Sequence, residues 1–112
     1  MAVAWLLRDG EVLASLEVAS SAFARARGLL GREHLEGALL LRPALSVHTV
    51  GMRFDLDVAF CDADFVVLEV VRMRRWRLGR PRPKARAVIE AEAGAFERWR
   101  LRVGDRLEVR GG

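Results

Sequence analysis

The sequence predicts a mainly β fold: an antiparallel β sandwich or small barrel with one short helix packed at one end. Many apolar runs have strand length, turn residues separate them at close intervals, and only one stretch has helical spacing. The 112 residues suffice for one modest core and are too few for two. We therefore expect a single domain over residues 1–112.

The chain is predicted to begin with a β-hairpin. Residues 3–7 and 11–18 are apolar, extended-looking runs, and Arg8-Asp9-Gly10 stands between them. Asp-Gly between two such runs is typical of a tight hairpin turn.

The predicted helix follows this hairpin. Ser20 or Ser21 supplies the N-cap, and apolar residues three or four positions apart extend a rough helical face to about His34. Gly31 is a plausible earlier end of the helix, because glycine is common just past a helix C-terminus.

The remaining elements are short strands joined by loops. Residues 56–61 alternate in polarity, which predicts a half-buried strand, whereas residues 65–71 are apolar on both faces, which favours a central strand. Gly79, Pro81 and Pro83 predict a loop over residues 79–86. Further strands are expected over residues 38–41, 46–50, 87–91 and 106–110, and a turn or short helix over 94–99.

Composition excludes several classes of protein. The apolar N-terminus ends at Arg8 after seven residues and has no basic region or cleavage site, so it predicts a strand rather than a signal peptide. No apolar run approaches the roughly 20 residues needed to cross a bilayer. The single cysteine, Cys61, cannot form an internal disulfide. We therefore expect a cytoplasmic protein that does not contact a membrane.

Several short motifs occur in an order that resembles a known family. They are Arg27-Gly-Leu-Leu-Gly-Arg32, residues 48–58, Phe60-Cys-Asp62, residues 88–94 and Gly104-Asp105. Together they resemble the bacterial and archaeal family called domain of unknown function 192, over about residues 20–110. The resemblance implies a compact, predominantly β domain whose biochemical role is not established.

The chain departs from the family pattern at several positions. Asp55 stands where the family usually has proline, and Phe65 stands where a turn glycine is common. Leu30 and Val50 replace a frequent methionine and a usual aromatic residue. The change at Asp55 puts inherited binding geometry in doubt, and Phe65 indicates a different hairpin.

The family motif contains the leading candidate site. A hairpin loop at Gly51 would place His48 opposite Asp57, with their Cβ atoms about 5 Å apart. Such a pair suits a ligand anchor, a proton-transferring dyad, or a cross-strand pair that only fixes register. The ligand-binding candidates are His48, Thr49, Met52, Arg53 and Asp57. The enzyme alternative uses His48 as general base, with Arg53 or Arg27 holding an anionic substrate.

The basic segment 72–86 is a second candidate site. It holds eight cations and no carboxylate, within a formal net charge of +4. Trp76 could stack on a base of a single-stranded nucleic acid while arginines follow the phosphates. Exposed arginines can also merely protect an edge strand from aggregation. The polyanion-binding candidates are Arg72, Arg74, Arg75, Trp76 and Arg77.

Other constellations have simpler explanations. Ser46 and Cys61 lie too far from a base for hydrolase chemistry, and His34 and His48 stand on different elements, so neither a metal nor another cofactor is expected. The glycines of Arg27–Arg32 are explained by helix packing, and Glu90 and Glu92 by surface pairing. The partner, a small molecule or a protein, and the oligomeric state are left open.

Overall fold

A computed structural model describes residues 2–19, 29 and 31–111. Seven strands form one mixed sheet with the spatial order β5-β4-β6-β3-β2-β1-β7. The strands are β1 Ala2–Arg8, β2 Glu11–Ala19, β3 Ala38–Leu41, β4 Leu56–Cys61, β5 Val67–Met73, β6 Ala87–Glu92 and β7 Leu107–Gly111. A short helix, α1, spans Ala95–Trp99. The predicted mainly β fold with one short helix is confirmed.

The predicted helix at residues 20–34 falls mostly outside the described residues. Its described end, residues 31–34, is turn and irregular chain, so no helix reaches His34. Gly31 has a φ of 82°, which fits the predicted earlier end. Among the described residues, no helix is long and apolar enough to cross a membrane.

The N-terminal hairpin forms as predicted. Arg8 pairs with Glu11, which leaves Asp9 and Gly10 as a two-residue turn. Both turn residues have positive φ, at 51° and 78°, and this backbone matches the right-handed twist of the two strands.

One strand pair departs from the antiparallel prediction. β2 and β3 run parallel, with Leu16 opposite Ala38. A parallel pair needs a connection of a dozen or more residues, and the segment between Ala19 and Ala38 supplies it.

The centre of the sheet also differs from the prediction. All six residues of β4 are buried, so the predicted half-buried strand is wrong, because apolar clusters cover both of its faces. The predicted central strand is instead β5, which lies at a sheet edge and leaves Leu68 and Val70 partly exposed. The two edge strands approach each other at one bridge between Val66 and Arg106 without closing a barrel.

The strand predicted at residues 46–50 does not form. This segment contributes only an isolated bridge between His48 and Leu78 and otherwise runs as a loop against residues 77–79. The predicted loop at 79–86 is confirmed, since β6 begins at Ala87.

Candidate functional site

The predicted pairing of His48 with Asp57 is wrong. His48 is exposed and pairs with Leu78. Asp57 lies inside β4, opposite residues of β5 and β6. The turn at Gly51 does not return residues 46–50 to β4, because these residues bond to the segment that follows β5. Binding by His48 or Asp57 stays a prediction, but the hairpin geometry on which it depended is absent.

Asp57 holds the short helix in place. Its Oδ2 accepts hydrogen bonds from the backbone nitrogens of Gly94, at 2.9 Å, and Phe96, at 3.1 Å. Its Oδ1 accepts a bond from Arg72 Nε at 3.0 Å, and this contact raises the pKa of the Arg72 guanidinium. Asp57 is 4% exposed. The Asp57 carboxylate therefore stabilises the fold. It does not orient the imidazole of His48, as the enzyme alternative requires.

Thr49 fixes a turn in the basic segment. The side chain is fully buried, and its hydroxyl donates to the carbonyl oxygen of Arg74 at 2.6 Å and accepts from the nitrogen of Arg77 at 2.8 Å. Trp76 N donates to Thr49 O at 2.9 Å. Thr49 thus stabilises the turn at residues 74–77 through buried hydrogen bonds and does not offer its hydroxyl to a ligand.

Asp55 holds the same turn from its other side. Its Oδ1 accepts a hydrogen bond from the backbone nitrogen of Arg75 at 2.9 Å and lies 3.4 Å from Arg75 Nε. The guanidinium of Arg75 also donates to the carbonyl oxygen of Arg53 at 3.3 Å. The carboxylate that replaces the usual family proline therefore ties two loops together.

The two loops enclose a wide groove of about 1020 Å³. We call this surface the basic groove, and its lining residues are Gly51, Met52, Arg53, Asp55 and Arg74–Arg77. It combines Met52 and Arg53 from the first predicted set with four residues of the polyanion-binding set. His48, Asp57 and Arg72 do not line it, and Thr49 supports it from below.

Among the described residues, ion pairs neutralise some, but not all, of the cations in the basic segment. Arg72 pairs with Asp57, Arg75 with Asp55, and Arg82 with Glu69. The guanidinium of Arg82 also lies 4.2 Å from the centre of a buried aromatic ring. Contacts from distant carboxylates therefore neutralise three of the eight cations that the sequence places together.

At the basic groove, the available part of this segment consists of Arg74, Trp76 and Arg77. Within the described ranges, neither arginine forms an ion pair with a carboxylate. Trp76 is 63% exposed and has a φ of 61°, a left-handed conformation that is uncommon for a bulky side chain. An aromatic face and two positive charges thus stand side by side at the groove.

The prediction that Glu90 belongs to a surface pair is wrong. Glu90 is 3% exposed and lies on the central strand β6, between Leu39 and Val58. Burial raises the pKa of its carboxyl group to about 7. Glu92 is partly exposed and accepts a hydrogen bond from Leu35 N. The alternating polarity of β6 alone did not indicate that other residues cover the face that carries Glu90.

Reactive and metal-binding chemistry has little support. Cys61 is buried, and desolvation raises the pKa of its thiol to about 12. No group of three metal-ligating side chains converges in the part of the chain that the structure describes. Arg27, which the enzyme alternative offers to an anionic substrate, lies outside the described residues, and Arg32 pairs with Glu17 at 2.7 Å.

Uncharacterised proteins of archaea are similar to this chain in sequence. A UPF0127 protein from Pyrococcus horikoshii is 30% identical over 105 residues, which cover 89% of this chain and 88% of that protein. A UPF0127 protein from Pyrococcus abyssi is 29% identical, over 83% of this chain and 84% of that protein.

Two crystal structures share the fold. One, a protein of unknown function from Novosphingobium aromaticivorans, has a TM-score of 0.78 at 20% identity and covers 96% of this chain and 84% of its own. The other, from Sinorhizobium meliloti, has a TM-score of 0.81 at 18% identity, with coverages of 96% and 92%. The family model for domain of unknown function 192, described as uncharacterized ACR, matches residues 4–109. The chain therefore belongs to the domain of unknown function 192 family.

Proposed function

We propose that this protein is a binding domain for single-stranded nucleic acid and that the strand lies in the basic groove. The observation that carries the proposal is Trp76, an exposed indole in a left-handed turn that also carries Arg74 and Arg77, and neither of these two arginines contacts a carboxylate among the described residues. Residence in the cytoplasm, where such a ligand is available, is part of the proposal.

The backbone at Trp76 gives the first argument. A left-handed conformation costs a residue with a side chain roughly 1–2 kcal/mol. The turn keeps it because the flanking residues are fixed: the Thr49 hydroxyl donates to Arg74 O and accepts from Arg77 N, and the Asp55 carboxylate accepts from Arg75 N. Strain that the surrounding structure enforces is common at ligand-binding sites. The strained backbone of this turn places the Trp76 indole in solvent rather than in the core.

The chemistry of the groove gives the second argument. Every base offers a π-face, so one exposed indole can stack on any sequence for about 1–3 kcal/mol per base. The guanidinium groups of Arg74 and Arg77 supply bidentate donors for phosphate. The guanidinium of Arg53, also in the groove, pairs with the exposed Glu33 at 3.2 Å, so a phosphate can compete for it. A duplex hides its base faces and would lose the stacking contribution.

Fluorescence anisotropy with a labelled twelve-residue oligo(U) or oligo(dT) tests the proposal. We expect binding that weakens steeply with salt, and Trp76→Gly should reduce affinity about tenfold or more. The double variant R74Q/R77Q should reduce affinity and make the salt slope shallower by about 1.4, since each lost phosphate contact contributes about 0.7. Trp5→Gly and Arg106→Gln, which change exposed residues elsewhere, are the matched controls.

Four results would overturn the proposal. One is no binding of either oligonucleotide at low salt. Another is equal affinity in wild type, the Trp76 variant and the double arginine variant. The third is preference for a duplex of the same length, which would point to phosphate contacts without stacking. Capture of an acidic protein in place of nucleic acid would likewise count against it.

A further inference from the structure

We propose that a second cleft, independent of the basic groove, binds a free amino acid with an apolar side chain. This end cleft lies where residues 34–37, the end of β6 and α1 meet β2, and its volume is about 560 Å³. The lining residues that carry the argument are Leu13, Glu92, Arg98 and Trp99. The volume is within the range of small-molecule sites.

Charges of both signs line this cleft, where Glu36 and Glu92 lie with Arg98. Glu92 and Arg98 both line it, yet in the described part of the chain no ion pair joins them and Arg98 contacts no other carboxylate. Elsewhere in the molecule, arginines close to a carboxylate pair with it, as Arg72 pairs with Asp57. A cleft that keeps both charges apart suits a ligand that carries both charges.

The carboxylate of Glu92 is held in position. Its Oε1 accepts a hydrogen bond from Leu35 N at 3.0 Å, which orients the group and leaves Oε2 without a protein donor among the described residues. An ammonium group can donate to this second oxygen. The guanidinium of Arg98 offers a fork of donors that matches a carboxylate. A zwitterion satisfies both groups, whereas a purely anionic or cationic ligand would meet one like charge.

The walls of the cleft supply apolar contact. Trp99 is half-buried and its ring lies 5.3 Å from that of Phe96, which fixes the indole against the end of the sheet. Leu13 lines the cleft from β2. A side chain such as that of phenylalanine or leucine can pack between these groups. The cleft therefore selects an amino acid with an apolar rather than a charged side chain.

Isothermal titration with L-phenylalanine tests this proposal. We expect saturable binding to the full chain that is lost for N-acetyl-L-phenylalanine, which has no ammonium group, and for L-phenylalaninamide, which has no carboxylate. Glu92→Gln retains an acceptor for Leu35 N and removes the charge, so the fold is kept while affinity should fall about tenfold or more. Arg98→Gln, a change at an exposed helix residue, should have a similar effect. Glu97→Gln and Arg102→Gln are the matched controls.

The outcomes separate this site from the basic groove. Oligonucleotide binding should be unchanged in Glu92→Gln and Arg98→Gln, and L-phenylalanine binding should be unchanged in Trp76→Gly. Absence of heat with L-phenylalanine, L-leucine and L-tryptophan up to about 10 mM would overturn the proposal. Equal binding of the zwitterion and its two blocked derivatives would also overturn it, because the paired charges would then play no part.

Discussion

Thr49 and Arg77, which are 28 positions apart, are joined by three hydrogen bonds, one of which the Thr49 hydroxyl donates to the carbonyl oxygen of Arg77 at 3.3 Å. Thr49 N donates to the carbonyl oxygen of Arg77 at 2.8 Å, and Arg77 N donates to the hydroxyl of Thr49 at 2.8 Å. This pair anchors the turn at residues 74–77 to the loop that carries the family motif. The threonine of the motif is therefore a support for the neighbouring groove.

Replacing that hydroxyl should weaken the fold. Thr49→Val keeps the volume of the side chain but leaves the nitrogen of Arg77 and the carbonyl of Arg74 without their buried partner, at a cost of about 1–3 kcal/mol. Urea unfolding measures the change. Thr49→Ser retains the hydroxyl and should lose clearly less stability than the valine variant. Equal losses in both variants would contradict this expectation, because the methyl group would then contribute as much as the hydroxyl.

Trp76→Gly should stabilise the protein while it removes a proposed binding group. Glycine adopts a φ near 61° without steric cost, and the exposed indole contributes little packing, so we expect about 0.5–1 kcal/mol of added stability. Thermal unfolding gives the sign of the change. Trp76→Ala retains a Cβ atom and should show little or no gain. A destabilised glycine variant would mean that the indole packs in solution.

Glu90 should make stability depend on pH. Its pKa in the folded protein is about 7, above the usual value of 4.5, so the folded state binds the proton more tightly than the unfolded chain. The contribution to stability is complete below about pH 4.5 and is lost as pH rises through 7, by roughly 3 kcal/mol in total. Urea unfolding between pH 5 and 8 measures it, with exposed Glu108→Gln as control. In Glu90→Gln the fall should be largely absent; a persistent fall would assign it to other groups.

Removing the Asp57 carboxylate should loosen α1. Asp57→Ala leaves the nitrogens of Gly94 and Phe96 without an acceptor and frees Arg72, so we expect a loss of about 2–4 kcal/mol. Glu97→Ala, at an exposed residue that lies 3.6 Å from the same guanidinium, should cost under about 0.5 kcal/mol. Similar losses in the two variants would contradict the structural role of Asp57. Guanidinium unfolding provides the comparison.

Gly37 should tolerate no side chain. Its φ is 77°, and a Cβ atom at this position would collide with the side-chain and backbone oxygens of Ser15. Gly37→Ala should therefore cost more than 2 kcal/mol, roughly, by adding a clash to backbone strain. Gly104→Ala is the matched control, because its φ is 94° and nothing lies within 4 Å of a Cβ there. The control should cost about 1 kcal/mol; equal costs would remove the argument from close approach.

Local chemistry made much of the fold predictable. The Asp9-Gly10 turn forms because the residues themselves favour positive φ, and Pro81 and Pro83 end regular pairing whatever lies around them. The position of a strand within the sheet was harder to predict from the sequence. The apolar residues of β5 favoured a central strand, yet β5 lies at the edge of the sheet. Whether a strand lies at an edge depends on which distant strands pair with it, and the spacing of apolar residues does not contain that information.

The candidate site was only partly predictable for the same reason. Trp76 and its arginines were identified from composition, whereas the neutralisation of Arg72 by Asp57 and of Arg82 by Glu69 depends on contacts 13 to 15 positions apart. The partner of His48 was misassigned because a local hairpin was assumed, and Leu78 is 30 positions away. Glu92 and Arg98 meet at the end cleft only through the packing of α1.

The buried position of Cys61 has a consequence for how copies of this chain behave toward oxidants. Its sulfur is buried at the end of β4 and is the sole thiol in the sequence. Intact molecules consequently present no sulfhydryl for crosslinking to one another or for trapping by glutathione. In the folded protein the Cys61 thiol is thus shielded from external oxidants, and unfolding exposes it to oxidation.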